Sequence, residues 1–346
     1  MTSQPTSPVH QCDSKDKPSL ALRLATVVAA IIVISRPSVA DWHGEARPLM
    51  GTEVSVYLWH EDEAAGESAV EAVFAEVERI DRLMSTYKDD SRISLINREA
   101  AARPVEAGAE LFELIEQALD ISVLTRGAFD ITYDSVGQHY DFRARRRPSE
   151  PDIRDGLKMI DYRLVNMNSG DGTVHFQGEG VRINLGGIAK GYAVERAAGL
   201  LRERAIEHAI VTAGGDSRLL GDRHGQPWMI GVQNPRDESR IAIRLPLQDE
   251  AISTSGDYER FYDEDGIRYH HIIQPETGKP ATGVHSATIV GPDAVMTDAL
   301  STSVFIMGVE KGLTLISTLP DYEGIVINAN GELYYSDGLV PPEQLD

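Results

Sequence analysis

The sequence predicts an α+β fold with largely antiparallel sheet. Two observations carry this. Segments with strand-like alternation outnumber amphipathic helices, and most of them follow one another through short turns. A doubly wound parallel sheet would instead place a helix between successive strands.

In chain order, Gly51–Trp59 alternates Val54, Val56 and Leu58 with Ser55 and Tyr57, which reads as a strand. From Glu63 to Met84, Val70, Val73, Phe74, Val77, Ile80 and Leu83 recur at helical spacing. Leu111–Thr125 reads as a second helix, stopped by Gly127. The segment His139–Asp155, rich in Arg and Pro, reads as an exposed loop, and Leu185–Ala205 as a third helix entered through Gly186 and Gly187. Strands are then expected at Ala209–Ala213, Trp228–Gln233, Arg240–Leu245, Ala251–Ser255, Arg268–Ile273 and Ser286–Val290. Asp298–Met307 is expected to be a fourth helix. Glu323–Ile327 and Leu333–Tyr335 close the chain around an Asn-Ala-Asn-Gly turn.

The first forty residues read differently. Lys15, Lys17 and Arg23 precede an apolar run, Leu24–Ile34, and Ser38-Val39-Ala40 supplies small residues for cleavage. That order is a secretory signal peptide, and the run falls short of the roughly 20 residues a permanent span needs. The expected organisation is residues 1–40 as signal peptide and 41–346 as one functional domain, exported and periplasmic or held at the outer face of the inner membrane. Cys12 is the only cysteine and precedes the apolar run, so the processed chain would have no thiol for catalysis or metal binding.

The chain carries a net charge of −21, and removing residues 1–40 takes away four basic and two acidic side chains, leaving −23. This argues against nucleic acid and anionic membranes as partners. A phosphorylated ligand on so acidic a protein requires a metal or converging N–H donors.

Four segments exceed what plain architecture needs. Asn184–Ala193 places Gly186 and Gly187 at a helix entry, where backbone can approach an anion. Thr212–Arg218 contains Gly214-Gly215-Asp216, a tight turn after a strand. In His270–Pro280, two adjacent histidines lie on a strand, so that at most one faces a given cleft. In Met296–Thr302, Asp298 and Thr302 are four apart on one helical face, an oxygen pair suited to a hard cation, although Asp298 alone could equally cap its helix.

In this order, and together with Pro48–Thr52, Asp81–Tyr87, Gly127–Asp130, Trp228–Arg236 and Ser253–Tyr258, these segments resemble the FAD:protein FMN transferase family, the ApbE family. The resemblance runs from about Arg47 to Gly308. It implies an FAD cleft between two subregions. Met50 and Tyr87 would line it, Tyr87 stacking on a ring, a position that an ordinary core aromatic could also fill. Ala128, Phe129 and Asp130 would contact FAD, as would Asn184 (often Asp in the family), Lys190 towards the phosphates, and Ile273. Mg²⁺ would be held by Asp298, Thr302 and the carbonyl of Gly187. His271 would be the general base, in a motif where Gln274 replaces the usual Asp.

The implied reaction is cleavage of the FAD pyrophosphate with transfer of FMN to a Thr or Ser of an exported or membrane redox protein, releasing AMP. Mg²⁺ would neutralise the phosphoryl oxygens, and a histidine would take the hydroxyl proton. The same residues would also serve an FAD pyrophosphatase, and a flavin-binding protein without turnover is the third reading.

Overall fold

The computed structural model describes residues 41–339; the expected signal peptide and Cys12 lie outside the described residues. Strands β1 (Asp41–Leu49) and β2 (Thr52–His60) open the fold as an antiparallel hairpin. Its two-residue turn, Met50-Gly51, has positive φ at both positions, the geometry that suits the twist of a tight hairpin. The sequence reading missed β1 because it is largely exposed and carries no apolar alternation.

Helix α1 (Glu63–Met84) has the predicted bounds, and Asp62 caps it by accepting the Ala65 N–H at 2.8 Å. Helix α2 (Arg92–Glu99) and strand β3 (Val105–Glu106) follow, then α3 (Ala109–Leu124). As expected, Gly127 ends α3: it is left-handed and its N–H reaches the Ser122 carbonyl at 2.8 Å. The predicted loop His139–Asp155 is only partly a loop. It follows the single turn α4 (Asp134–Gly137) and runs into α5 (Glu150–Gly156), which Ser149 and Asp152 start with a reciprocal capping box. Strands β4 (Val165–Asn168) and β5 (Thr173–Phe176) pair with β3 in a small sheet, order β3-β5-β4.

The third predicted helix begins four residues late, as α6 (Ala189–Glu203). Asn184 Oδ1 accepts the Gly186 N–H at 2.8 Å, a local turn that competes with helical bonding and leaves the Gly-Gly pair as loop. The strands β6 (Ala209–Ala213), β7 (Asp216–Leu220), β8 (Trp228–Asn234), β9 (Asp237–Leu247) and β10 (Ala251–Gly256) then follow.

The expected strand Arg268–Ile273 is broken. Strands β11 (Phe261–Glu264) and β12 (Ile267–His270) form a hairpin that ends at His270, and Ile273–Gln274 is a separate short strand, β13, paired with β14 (Lys279–Pro280). The His270 Nδ1 accepts the Ile272 N–H at 3.3 Å, diverting a donor that a continuous ladder would use. The chain closes with β15 (Val284–Gly291), α7 (Ala294–Met307), α8 (Val309–Ile316), β16 (Glu323–Asn328) and β17 (Leu333–Tyr335).

The main sheet has eight strands in the order β1-β2-β6-β7-β10-β15-β16-β17, every neighbouring pair antiparallel. Helices α1, α6 and α7 pack on one face. There Val54, Val56 and Leu58 of β2 join Val70, Val73, Phe74 and Val77 of α1 in the largest core. Trp228, Val232, Leu245 and Leu247 of the β8–β9 hairpin cover Leu219, Ile252, Val290 and Ile325. With α7 and the hairpin both packed against it, β15 is buried along nearly its whole length.

Candidate active site

A cavity of about 390 Å³ lies where the helical face of the sheet meets the loops around α4 and β13. Its walls include every residue that the family resemblance assigned to cofactor, metal or catalysis: Met50, Tyr87, Ala128, Phe129, Asp130, Asn184, Gly187, Lys190, His271, Ile273, Asp298 and Thr302. The size is that of a small-molecule site.

Asp298 is set by two helices. The N-cap of α7 is Asp293, whose carboxylate accepts the Val295 and Met296 N–H groups at 2.7 and 3.2 Å. Asp298 therefore does not cap its own helix. Its Oδ2 instead accepts the Gly191 N–H of α6 at 2.9 Å. Helix α6 has no side-chain cap of its own, so a carboxylate from α7 supplies one for its first turn. This requires close approach of the helices. A Cβ on Gly191 would lie 2.1 Å from the Ala294 carbonyl oxygen and 2.7 Å from Asp298 Cβ, so only glycine fits. Burial, with Asp216 nearby, pushes the Asp298 carboxyl up from its ordinary range.

The second oxygen of Asp298 points at Lys190. Lys190 Nζ donates to Asp216 Oδ2 at 2.5 Å and to Asp298 Oδ1 at 3.4 Å. On the cavity wall the ammonium is paired with two carboxylates, and the two anions outweigh desolvation and raise its pKa. Thr302 lies one turn beyond Asp298, its Oγ1 3.2 Å from Ser255 Oγ. A Cβ on Gly187 would lie 3.4 Å from the same Thr302 oxygen and 3.2 Å from Phe129, so the glycine backbone sits against both. Among the described residues no three His, Cys, Asp or Glu side chains cluster as a metal cage. One carboxylate with neutral oxygens nevertheless fits Mg²⁺, which takes one or two carboxylates and completes its shell with water and substrate phosphate.

The tandem histidines divide their roles. His270 is buried; its Nε2 bonds the Ala281 carbonyl at 2.9 Å and its Nδ1 accepts from Ile272, which fixes a neutral ring. His271 sits on the cavity wall, and its Nδ1 is sealed from water without a partner. Desolvation first, then the Arg260 guanidinium, lowers its pKa to about 3 and keeps the ring neutral. Gln274 lies off the cavity wall. Its backbone carbonyl accepts from Thr277 and Gly278 at 3.2 and 2.9 Å, bonds that no side chain affects.

Asn184 fits its surroundings as an amide. Its Nδ2 donates to Asp134 Oδ1 at 3.1 Å and to Thr86 Oγ1 at 3.2 Å. Asp134 is buried and also pairs with Arg182 at 2.5 Å. Aspartate at 184 would set two carboxylates against each other. The Asp130 carboxylate is committed to the loop, accepting from Thr132 N and Oγ1 and from Tyr162 N at 2.6–2.9 Å. Tyr87 is 86% exposed at the cavity, which excludes the core-aromatic alternative.

Sequence reasoning did not single out Ser255, Arg260, Tyr133, Tyr140 or Phe142, all on the wall. Arg260 and Lys190 are the basic side chains there, and Arg260 is tied to the Gly51 carbonyl at 3.3 Å. Ser255 lay in a recognised segment; nothing in the spacing of the others marked them.

Residues 50–326 match the model of the ApbE family. The chain is 30% identical over 317 residues to the FAD:protein FMN transferase of Treponema pallidum (strain Nichols), spanning 86% of this chain and 88% of that one. It is also 30% identical over 292 residues to an FAD:protein FMN transferase of Klebsiella pneumoniae (strain 342), with 83% and 90% covered. The solved ApbE protein of Thermotoga maritima is similar at a TM-score of 0.80 and 34% identity, over 86% of this chain and 98% of that one. The flavin transferase ApbE of Vibrio cholerae is similar at 0.77 and 26%, over the same shares.

Proposed function

The chain belongs to the ApbE family, and on that premise we propose that it is an FAD:protein FMN transferase whose reaction takes place in the cavity around Asp298 and His271. The observation that carries this is the pairing, in one cavity, of the buried Asp298 carboxylate and Thr302 with His271, whose Nδ1 is buried without a partner.

FAD enters with its pyrophosphate towards Lys190 and Arg260, the basic side chains of the wall. Exposed Tyr87 offers a stacking face to a ring, and Met50, Phe129 and Ile273 give apolar contact. The oxygen of a Thr or Ser on the acceptor protein bonds to the FMN-side phosphorus. The bond from that phosphorus to the bridging oxygen breaks, AMP leaves, and the hydroxyl proton passes to neutral His271. Asp298, Thr302 and the Gly187 carbonyl would hold Mg²⁺, which there supplies charge neutralisation for the phosphoryl oxygens and the leaving group. This also answers how a chain of net charge −21 accommodates a pyrophosphate. Export after cleavage behind Ala40 places the enzyme in a periplasm with an exported or membrane redox protein as acceptor.

The protein is incubated with FAD and an acceptor bearing a Thr-containing flavinylation motif, with and without Mg²⁺. The reading predicts a mass gain equal to FMN on the acceptor, only with Mg²⁺, and equimolar AMP. AMP without acceptor labelling, when a related transferase labels the same acceptor, would assign the site to a pyrophosphatase. Intact FAD throughout would leave a flavin-binding protein.

A further inference from the structure

Asp216 has no part in the transfer reaction as described above, yet it is 1% exposed and its Oδ1 is buried with no hydrogen-bond partner. A buried carboxylate without full partnering is costly and calls for a physical reason. Its place is rigidly defined. Asp216 opens β7 opposite Ala213 of β6 on one side and Ser253 of β10 on the other. The preceding turn is clamped, because Gly214 is left-handed and a Cβ on Gly215 would lie 2.5 Å from the Thr254 carbonyl oxygen. Asp216 is thus fixed by the sheet, whereas Lys190 reaches it on a flexible four-carbon stem.

The contacts of Lys190 are unequal: 2.5 Å to Asp216 and 3.4 Å to Asp298. Asp298 has one oxygen committed to the Gly191 N–H, so its other oxygen is the one available to a cation. Without Asp216, the ammonium would close on that oxygen and compete with any metal for it. With Asp216, the ammonium keeps an anion of its own, and the spare Oδ1 leaves room to hold it when a dication repels it from Asp298. We infer that Asp216 is a positioning residue that retains Lys190 so that Asp298 stays available to a divalent cation. The inference rests on the proposed metal role of Asp298.

The test measures Mn²⁺ binding to the full chain without FAD, by loss of the free-ion EPR signal, with Mg²⁺ as competitor. Asp216→Asn should weaken binding about tenfold or more, in line with loss of a residue that orients a metal ligand. Adding Lys190→Met to Asp216→Asn should restore affinity to within about threefold of wild type, because the competing ammonium is gone. A merely structural role for Asp216 gives no such rescue. Wild-type affinity in Asp216→Asn, or a double variant as weak as the single one, overturns the inference. Should Asp216→Asn fail to fold, Asp216→Ser takes its place with the same two outcomes. If Asp298→Ala leaves Mn²⁺ binding unchanged, the metal reading itself is overturned, which separates the two failures.

Discussion

At the scale of single residues, the site depends on protonation states set by burial. His271 is held neutral, with a pKa of about 3 against an ordinary value near 6.5. As general base it is already in its working form, so the acid limb of kcat/KM should lie below pH 6. His271→Ala should lower FMN transfer by roughly 10²–10⁴-fold while FAD still binds. The same shift affects stability. Below about pH 6.5 the unfolded chain takes up a proton at this position while the folded chain does not until about pH 3. Stability is therefore lost as pH falls across that window, and His271→Asn should show less of this loss in denaturant titrations at pH 7 and 5. Asn184 gives a second residue-level expectation. Asn184→Asp puts a carboxylate where the amide now donates to Asp134 at 3.1 Å, and should lower stability by about 1–3 kcal/mol. Asp134→Asn in the same chain should recover part of this in thermal melts.

At the scale of elements, the crossing of α6 and α7 positions the chemistry. Its contact point is Gly191, and its product is an Asp298 carboxylate held by the first turn of the other helix. Gly191→Ala forces a methyl group into the Ala294 carbonyl. We expect a loss of about 2 kcal/mol or more, read from denaturant midpoints, together with weaker metal dependence as Asp298 moves. This crossing was not legible from the sequence. The sequence marked Asp298 and Thr302 as one helical face but left open whether Asp298 capped α7, because a cap and a ligand use the same residue type. Deciding needed Asp293, five residues upstream, seen at the cap itself. Likewise α6 starts at Ala189 because Asn184 bonds the Gly186 N–H, a competition that apolar spacing does not register.

At the scale of the whole molecule, the proposed cation site of this strongly acidic chain can be read from thermal stability. A ligand that binds only the folded state stabilises it by mass action, by about 2.7 kcal/mol at a hundred times Kd. Millimolar Mg²⁺ should therefore raise Tm, EDTA should reverse the rise, and Asp298→Ala should abolish it. An equal rise in Asp298→Ala would place the cation elsewhere on the acidic surface.

The sequence by itself determined α1 to the residue, because its apolar period is long and unbroken, the short strands β6 and β17 to the residue, and the antiparallel character of the sheet. It also marked twelve residues that come to line one cavity, because the joint order of several short motifs is far more specific than any one of them. It missed β1, exposed and polar, and β7, where Asp216, Ser217 and Arg218 hide a strand that tertiary ion pairs make buriable. The tertiary structure alone decided which histidine of the tandem is satisfied and which is free, that Asp298 caps α6, and that Lys190 is shared between two carboxylates. Those outcomes depend on distances between segments 11 to 108 residues apart, set by how sheet and helices pack, and periodicity carries no information about such distances.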